Sequence, residues 1–529
     1  MLGMLRRLDS RIQNGSRKEP LHALRMGPFL GNRDMLVMLR GRGSLNQRLY
    51  RGLRQGILEG RLPPGTRLPS SRSLAGDLGL SRNVVVMAFD RLLDEGYVEA
   101  RVGSGTYVSR SLPDAATAPW HPAAADARAS AAPPRLSVHA RRVVGLAPLP
   151  APTAPLRSGL RCEFRYGLPA ISDFPSEAWA RIVSRRARRV SLRTLRYGRA
   201  LGYAPLREAI AHYVTRARGV AATPDQVIVV NGSQQALDLV TRLLVDPGDR
   251  VVIEEPGYQG ARHVFLAAGA RLVPVPVDAS GLDVAKLPRR GAPRLAYVTP
   301  SHQFPLGGVM PLGRRLELLR WAEDTGAHIL EDDYDSEFRY EGRPVEAVQS
   351  LDRSGRVVYA GTFSKTLFPS LRLGYLIVPP AMVPAMAALK FLIDMQAPTF
   401  EQEVLTDFIT EGHFERHVRR TRARNAARRA ALLDALEQDL GDRVEVVGAN
   451  AGVHVVVWLR GVEASQLDAV RHRVAEQGVG IYGVEPHYLQ PPRRAGLLFG
   501  YACLTERDIR EGIGVLGTVV RGLSRRRPA

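Results

Sequence analysis

Apolar residues follow two different rhythms along the chain. Between residues 39 and 110, Leu45, Leu49, Leu53 and Ile57 recur every four positions, which predicts one face of a helix. Gly60 and the Pro63-Pro64-Gly65 turn stop it. A short helix is expected over Arg72–Leu78, capped by Ser71, and Gly79-Leu80 makes a turn. A further helix, capped by Ser81, would bury Val84, Val85, Ala88, Phe89 and Leu92. Residues 97–108 then read as two short strands around Gly103-Ser-Gly105. From about residue 160 the period changes. Val227–Val230, Val251–Ile253, Leu295–Val298, His328–Leu330 and Val357–Ala360 are short β-branched or apolar runs. Helical patterns near 233–245, 259–269, 312–325 and 381–394 lie around or between them. This alternation predicts an α/β fold with a largely parallel sheet covered on both faces. After about residue 400, a long charged helix and strands such as Gly452–Trp458 predict a smaller α+β domain.

The two rhythms are separated by Ser111 to Ser158, rich in Ala and Pro and poor in large apolar residues. Such a segment cannot build a core and reads as a semi-extended linker. The expected division is an N-terminal extension over 1–38, a compact unit over 39–110, a linker over 111–159 and a large domain over 160–529.

Charge adds a partner. The formal net charge is +22, and residues 1–110 alone hold 19 Lys/Arg against 9 Asp/Glu, an excess of 10. A basic N-terminal unit suggests an anionic partner such as nucleic acid. Cys162 and Cys503 are the two cysteines and form no CxxC pair, so neither a disulfide framework nor a metal site is expected. No apolar run reaches the roughly 18 residues that would mark a transmembrane helix, and no apolar signal core follows the early arginines. A cytoplasmic protein with no membrane partner is the expectation.

Helix, turn, helix and β-ribbon in residues 39–110 make a winged helix-turn-helix. The helix starting at Ser81 would enter the major groove of double-stranded DNA, with Arg82 and Asn83 near base edges. Arg67 and Arg72 suit phosphates, and the Gly103 tip can approach the minor groove. Leu68-Pro-Ser-Ser-Arg-Ser-Leu-Ala75, together with Ser81-Arg82, resembles the GntR-type winged helix.

The large domain carries its chemistry in Gly361-Thr-Phe-Ser-Lys365-Thr-Leu-Phe-Pro-Ser-Leu-Arg372-Leu-Gly-Tyr375. A lysine on a turn after an apolar strand is ordinarily a surface lysine. Here an arginine follows seven positions later, and Glu331-Asp332-Asp333-Tyr334 ends an earlier strand. Pyridoxal phosphate (PLP) needs these parts: a lysine for a Schiff base, a carboxylate for the pyridine nitrogen, and an arginine with hydroxyls for the phosphate. Asn231-Gly-Ser233-Gln234 opens a helix whose amides can cradle an anion, although an ordinary N-cap would look the same. Tyr258 could stack on a ring, and Tyr197 sits in a segment that could reach a neighbouring subunit.

Together these segments resemble fold-type I aminotransferases over residues 160–529. A winged helix ahead of such a domain resembles the MocR-type regulators, as do Thr299-Pro-Ser-His-Gln-Phe-Pro305 and Glu331-Asp-Asp-Tyr-Asp-Ser-Glu-Phe338. The resemblance implies Lys365 as the Schiff-base lysine, Asp332 on the pyridine nitrogen and Tyr334 on the phenolic oxygen. It also implies Thr362, Ser364 and Arg372 on the phosphate, a stacking Tyr258 and a homodimer. Phe304 stands where the enzymes have asparagine, and Leu498 where they have a carboxylate-binding arginine. Arg262, Arg493 and Arg494 are possible substitutes. The implied function is a transcription regulator sensing a small amine or amino acid through its cofactor. The alternative is a working aminotransferase that carries a DNA-binding domain.

Overall fold

The computed structural model describes residues 43–101, 103–111, 135–146, 159–342 and 345–524. The expected N-terminal extension and most of the expected linker lie outside the described residues. Contacts divide the chain into an N-terminal unit up to Arg135 and a second unit from Leu136.

In the first unit, α1 (Leu45–Leu58), α2 (Ser71–Leu78) and α3 (Arg82–Asp94) precede β1 (Val98–Arg101) and β2 (Gly105–Val108). Leu49, Leu53, Ile57, Leu74, Val85 and Leu92 meet in its core, each at most 2% exposed. Leu45, expected on the same face, is exposed at the start of α1. The ribbon is antiparallel, with Val98 opposite Val108. Gly79 ends α2 in the left-handed region at φ +61°. One expectation needs correction: Ser70 caps α2, accepting from the Ser73 N–H at 3.1 Å, and Ser71 is the first helical residue. Ser81 does occupy the N-cap position of α3, but its hydroxyl makes no capping bond.

The second unit is built on an eight-stranded sheet. Its strands are β4 (Val227–Val230), β5 (Arg250–Glu255), β6 (Arg271–Asp278), β7 (Gly281–Leu282), β8 (Leu295–Val298), β9 (His328–Asp333), β10 (Val357–Thr362) and β11 (Gly374–Ile377). The order is β4-β11-β10-β9-β8-β5-β6-β7. Neighbours from β10 through β6 run parallel, while β11 is antiparallel to both β10 and β4. Successive side chains point to opposite faces. Val251 and Ile253 therefore pack under the helices Ser233–Leu244 and Gln259–Ala268, and Val252 under Leu312–Thr325. Burial on both faces explains why these strands read as unbroken apolar runs.

The smaller part pairs β12 (Val444–Val447), β13 (His454–Glu463) and β15 (Arg494–Gly500) in an antiparallel sheet, with β14 (Val479–Gly480) joined to β3 (Cys162–Glu163). Leu432 and Leu436 of the helix His413–Leu440 pack with Val455, Val457, Leu497 and Leu516. Within the span expected to be linker, Val138–Val144 forms a short helix capped by Ser137, and Arg142 donates to the Ala268 carbonyl at 3.4 Å. Among the described residues, no helix is long and apolar enough to cross a membrane.

Candidate cofactor and effector site

The parallel strands end together. Ser233 follows β4, Tyr258 follows β5, Thr299 follows β8, Asp332 is near the end of β9, and Thr362 ends β10. All five line one cavity of about 500 Å³. Open α/β sheets bind ligands beyond the carboxyl ends of their strands because the chain there leaves the sheet in divergent directions.

Strand alternation sorts the acidic cluster. Glu331 accepts the Val348 and Gln349 amides, both at 2.9 Å. Asp333 accepts from Arg218 at 2.7 Å and from Tyr359 at 2.6 Å. Asp332, between them, points to the other face, accepts the Tyr297 hydroxyl at 2.7 Å and lines the cavity. The two aspartates are tuned apart. Burial pushes Asp332 up to about 6, against the bond from Tyr297. Burial would raise Asp333 too, but Arg218 and Tyr359 hold it below the usual carboxylate range.

Lys365 lines the same cavity and donates to the Gly167 carbonyl at 2.6 Å. Burial holds its ammonium below the ordinary lysine value, with Asp335 and Asp332 pulling the other way. Thr362, Ser364 and Arg372 line the same cavity, as do Ser233, Gln234, Tyr258 and Tyr334. Ser364 N–H donates to the Thr362 hydroxyl at 3.2 Å, and Gln234 donates to the Tyr258 hydroxyl at 3.1 Å. Arg372 has a left-handed backbone, φ +53°, a costly state for a side chain of its size. Its guanidinium donates to the Asn231 carbonyl at 2.9 Å, at the mouth of the helix beginning with Ser233. Gly232 keeps that mouth open: at its φ of +78°, a Cβ would lie 2.6 Å from Arg372 Nη2. Helix amides, a guanidinium and hydroxyls around a cradle that a side chain would fill suit a phosphate. With a buried carboxylate and a lysine amine lining the same cavity, the set fits PLP.

Tyr197 is not among the residues of this cavity and is 82% exposed. Arg262, Arg493 and Arg494 do not line it either. Phe304 does, edge-on to Tyr258 and Tyr334 at 5.8 and 6.0 Å between ring centres. Leu498 packs behind it in an apolar cluster with Val456 and Val484.

Several lining residues carry no local sequence signal. Tyr166 and Gly167 come from far upstream, and His454 and His487 from the small part. Tyr297 could have been found, since a tyrosine inside a buried strand needs a partner for its hydroxyl. Tyr334 donates to the His302 carbonyl at 3.0 Å and lies 3.0 Å from His302 Nδ1, which lies 3.0 Å from Asp335.

In the first unit, Arg67, Arg72, Ser81, Arg82, Asn83 and Gly103 are all exposed. Arg82 Nε reaches the Ser71 hydroxyl at 3.4 Å, which ties the first residue of α3 to the first residue of α2.

Comparison with known proteins agrees with both units. Residues 45–108 match the family model for bacterial regulatory proteins of the gntR family, and residues 172–516 match aminotransferase class I and II. The probable rhizopine catabolism regulatory protein MocR of Rhizobium meliloti is 42% identical over 474 residues, covering 89% of this chain and 93% of its own. The pyridoxine biosynthesis transcriptional regulator PdxR of Corynebacterium glutamicum is 30% identical, covering 88% and 94%. Among solved structures, the α-aminoadipate aminotransferase LysN of Thermus thermophilus, complexed with N-(5'-phosphopyridoxyl)-L-leucine, aligns with a TM-score of 0.65. It is 29% identical and covers 74% of this chain and 98% of its own. The chain thus belongs to the MocR-type transcription regulators, in which a GntR-type DNA-binding unit is joined to a fold-type I, PLP-binding aminotransferase domain.

Proposed function

We propose that the second unit senses a small amine at Lys365 and that this changes how the first unit binds its operator. The convergence of Lys365, Asp332 and Arg372 on one cavity carries the reading. When bound, PLP supplies an aldehyde that condenses reversibly with primary amines. The chain's own residues set the terms of that exchange. Arg372, Thr362, Ser364, Ser233 and Gln234 would hold the phosphate. Asp332 would keep a proton on the pyridine nitrogen, and Tyr258 would cover the ring. Tyr334, fixed by His302, would face the phenolic oxygen. The lowered pKa of Lys365 leaves more of its amine neutral and nucleophilic. An amine in its place would leave Lys365 free and would fill the cavity. It can shift a domain equilibrium only by its differential affinity for the two states.

A homodimer in the cytoplasm would suit a reader of repeated half-sites. Leu192, Leu195 and Tyr197 support it, being 70, 73 and 82% exposed in a single chain. A second copy would cover them and bring Tyr197 to its partner's phosphate. In α3, Arg82 would contact guanine and Asn83 a neighbouring base, with Arg67, Arg72 and Ser81 on phosphates and Gly103 at the minor groove. Losing a bidentate guanine contact costs about 1–3 kcal/mol. Arg82→Ala is therefore expected to weaken operator binding by roughly 10- to 100-fold while barely changing binding to unrelated DNA of equal length. Equal losses on both would make Arg82 a phosphate contact.

The intact lysine and carboxylate also suit an aminotransferase, so turnover separates the two readings. Transamination needs the reacting carbon held in one orientation, and misplacement by about 1 Å can cost roughly a hundredfold. Phe304 gives the phenolic oxygen no hydrogen bond, and Leu498 gives no carboxylate clamp. The expected result is amine-dependent spectral change and altered operator binding, with conversion of keto acids far below about 1 s⁻¹. Sustained turnover at or above that rate would establish the enzyme instead.

A further inference from the structure

β8 and β9 are parallel neighbours, so the chain segments leaving them start side by side. His302 follows β8 and Asp335 follows β9, and both side chains are 1% exposed. His302 Nδ1 lies 3.0 Å from Asp335 Oδ2 and 3.0 Å from the Tyr334 hydroxyl. Neither Asp335 Oδ1 nor His302 Nε2 has a partner among the described residues. Gly452, at φ +80°, leaves room for the pair: a Cβ there would overlap the His302 ring and lie 2.7 Å from Asp335 Oδ2.

These contacts choose the nitrogen that carries the proton. A neutral imidazole has one N–H and one lone pair. A lone pair on Nδ1 would face a carboxylate oxygen at 3.0 Å, and the N–H would be buried on Nε2 without an acceptor. A proton on Nδ1 is accepted by the carboxylate, the usual way in which a buried histidine has its tautomer set. That N–H is also within reach of the Tyr334 oxygen. Tyr334 can then accept from Nδ1 but cannot donate to it. Its own proton goes to the His302 carbonyl at 3.0 Å and is available to a stronger acceptor. An ionised phenolic oxygen is one, because charge-assisted hydrogen bonds are the stronger kind. Phe304 offers that oxygen no hydrogen bond, which leaves the task to Tyr334.

Other charges surround the group. Asp332, Asp333 and Glu254 act on Tyr334, and Asp335 acts in turn on Lys365, Tyr340 and Tyr501. His454 packs beside His302, with ring centres 4.9 Å apart. Burial holds His454 well below its ordinary value, so it adds no cation.

We infer that Asp335 and His302 are positioning residues for the cofactor: Asp335 keeps the His302 proton on Nδ1, and that N–H turns the Tyr334 hydroxyl to donate its own proton to the phenolic oxygen. The inference rests on the proposed binding of PLP at Lys365 with Tyr334 at its phenolic oxygen, and adds the two residues behind Tyr334.

The test uses the full-length, PLP-loaded protein. Absorbance of the cofactor's Schiff base with Lys365 is followed against pH, and the midpoint is the readout. A hydrogen bond to the phenolic oxygen stabilises its anion and so favours loss of the Schiff-base proton. Tyr334→Phe is therefore expected to raise the midpoint by about one to two units. Asp335→Asn has two opposed effects. Loss of a negative charge lowers the midpoint, and release of the His302 tautomer raises it through Tyr334. The charge effect is present with or without the tyrosine hydroxyl. Asp335→Asn is therefore expected to move the midpoint upward by about one unit more in the wild-type background than in the Tyr334→Phe background. If Asp335→Asn does not fold, the histidine gives the same answer. His302→Asn places an N–H where Nδ1–H stands and should keep the midpoint within about half a unit of wild type, while His302→Leu should raise it by about one unit. Equal shifts from Asp335→Asn in both backgrounds, or equal midpoints in His302→Asn and His302→Leu, overturn the inference and leave Tyr334 in place. A Tyr334→Phe midpoint equal to wild type removes Tyr334 from the phenolic oxygen, and the inference with it. Wild-type protein with no borohydride-reducible chromophore defeats the cofactor reading itself.

Discussion

Lys365→Ala protein is expected to fold, to bind operator DNA and to carry no borohydride-reducible chromophore. The wild-type chain should carry one per protomer. The lysine projects from the turn after β10 to a cavity wall, and the bond it gives up is a single one to the Gly167 carbonyl. Truncation enlarges an existing space and does not open a hole in the packed sheet, so the melting temperature of the cofactor-free protein should barely move. The cofactor should then be held only by its phosphate and ring contacts, and dialysis should remove it. The response of operator binding to amines should disappear with it, since that response depends on the amine displacing Lys365. A variant that retains a reducible chromophore would mean that another amine holds the cofactor. A variant that loses the chromophore but keeps its amine response would mean that the effector acts elsewhere.

The residues whose position follows from local pattern were legible in the sequence. The runs Val227–Val230 and Leu295–Val298 are strands with the expected bounds, because a strand buried on both faces needs an unbroken apolar run. Gly374–Ile377 is just as apolar, yet it begins inside the lysine–arginine segment and is not among the expected strands. Its antiparallel insertion between β4 and β10 depends on long-range pairing that no local period reports. The same divide runs through the cavity. Lys365 and Arg372 sit seven residues apart in one segment, and Asp332 ends a strand, so their chemistry is visible in the chain. His454 and His487 are brought to Phe304 by the small part folding against the sheet, and at such a separation along the chain only tertiary structure makes them neighbours. The Ser70 cap shows the limit at short range. Adjacent serines offer the same hydroxyl, and backbone geometry chooses between them.

The second large effect is on stability, and its sign depends on the cofactor. In the cofactor-free protein, burial raises Asp332 from an ordinary value near 3.8 to about 6. The folded state therefore holds that proton more tightly than the unfolded chain does. The stability this confers is complete below about pH 4 and is lost as pH rises through 6, leaving the ionised, buried carboxylate as a penalty of about 3 kcal/mol at pH 7.5. Asp332→Asn removes the titration and can still accept the Tyr297 hydroxyl. Cofactor-free Asp332→Asn is expected to be more stable than wild type by about 2–3 kcal/mol at pH 7.5, with the gap closing toward pH 4.5. Urea unfolding followed by tryptophan fluorescence suits the measurement, because Trp179, Trp321 and Trp458 all belong to the second unit. With PLP bound, the order should reverse. A protonated pyridine nitrogen beside Asp332 turns the penalty into an ion pair, and asparagine cannot make one. The cofactor should stabilise wild type far more than the variant. An asparagine variant that is no more stable than wild type at pH 7.5, or whose advantage grows as pH falls, would show that Asp332 is not the strained carboxylate of the empty site. Equal stabilisation of both proteins by PLP would remove Asp332 from the pyridine nitrogen.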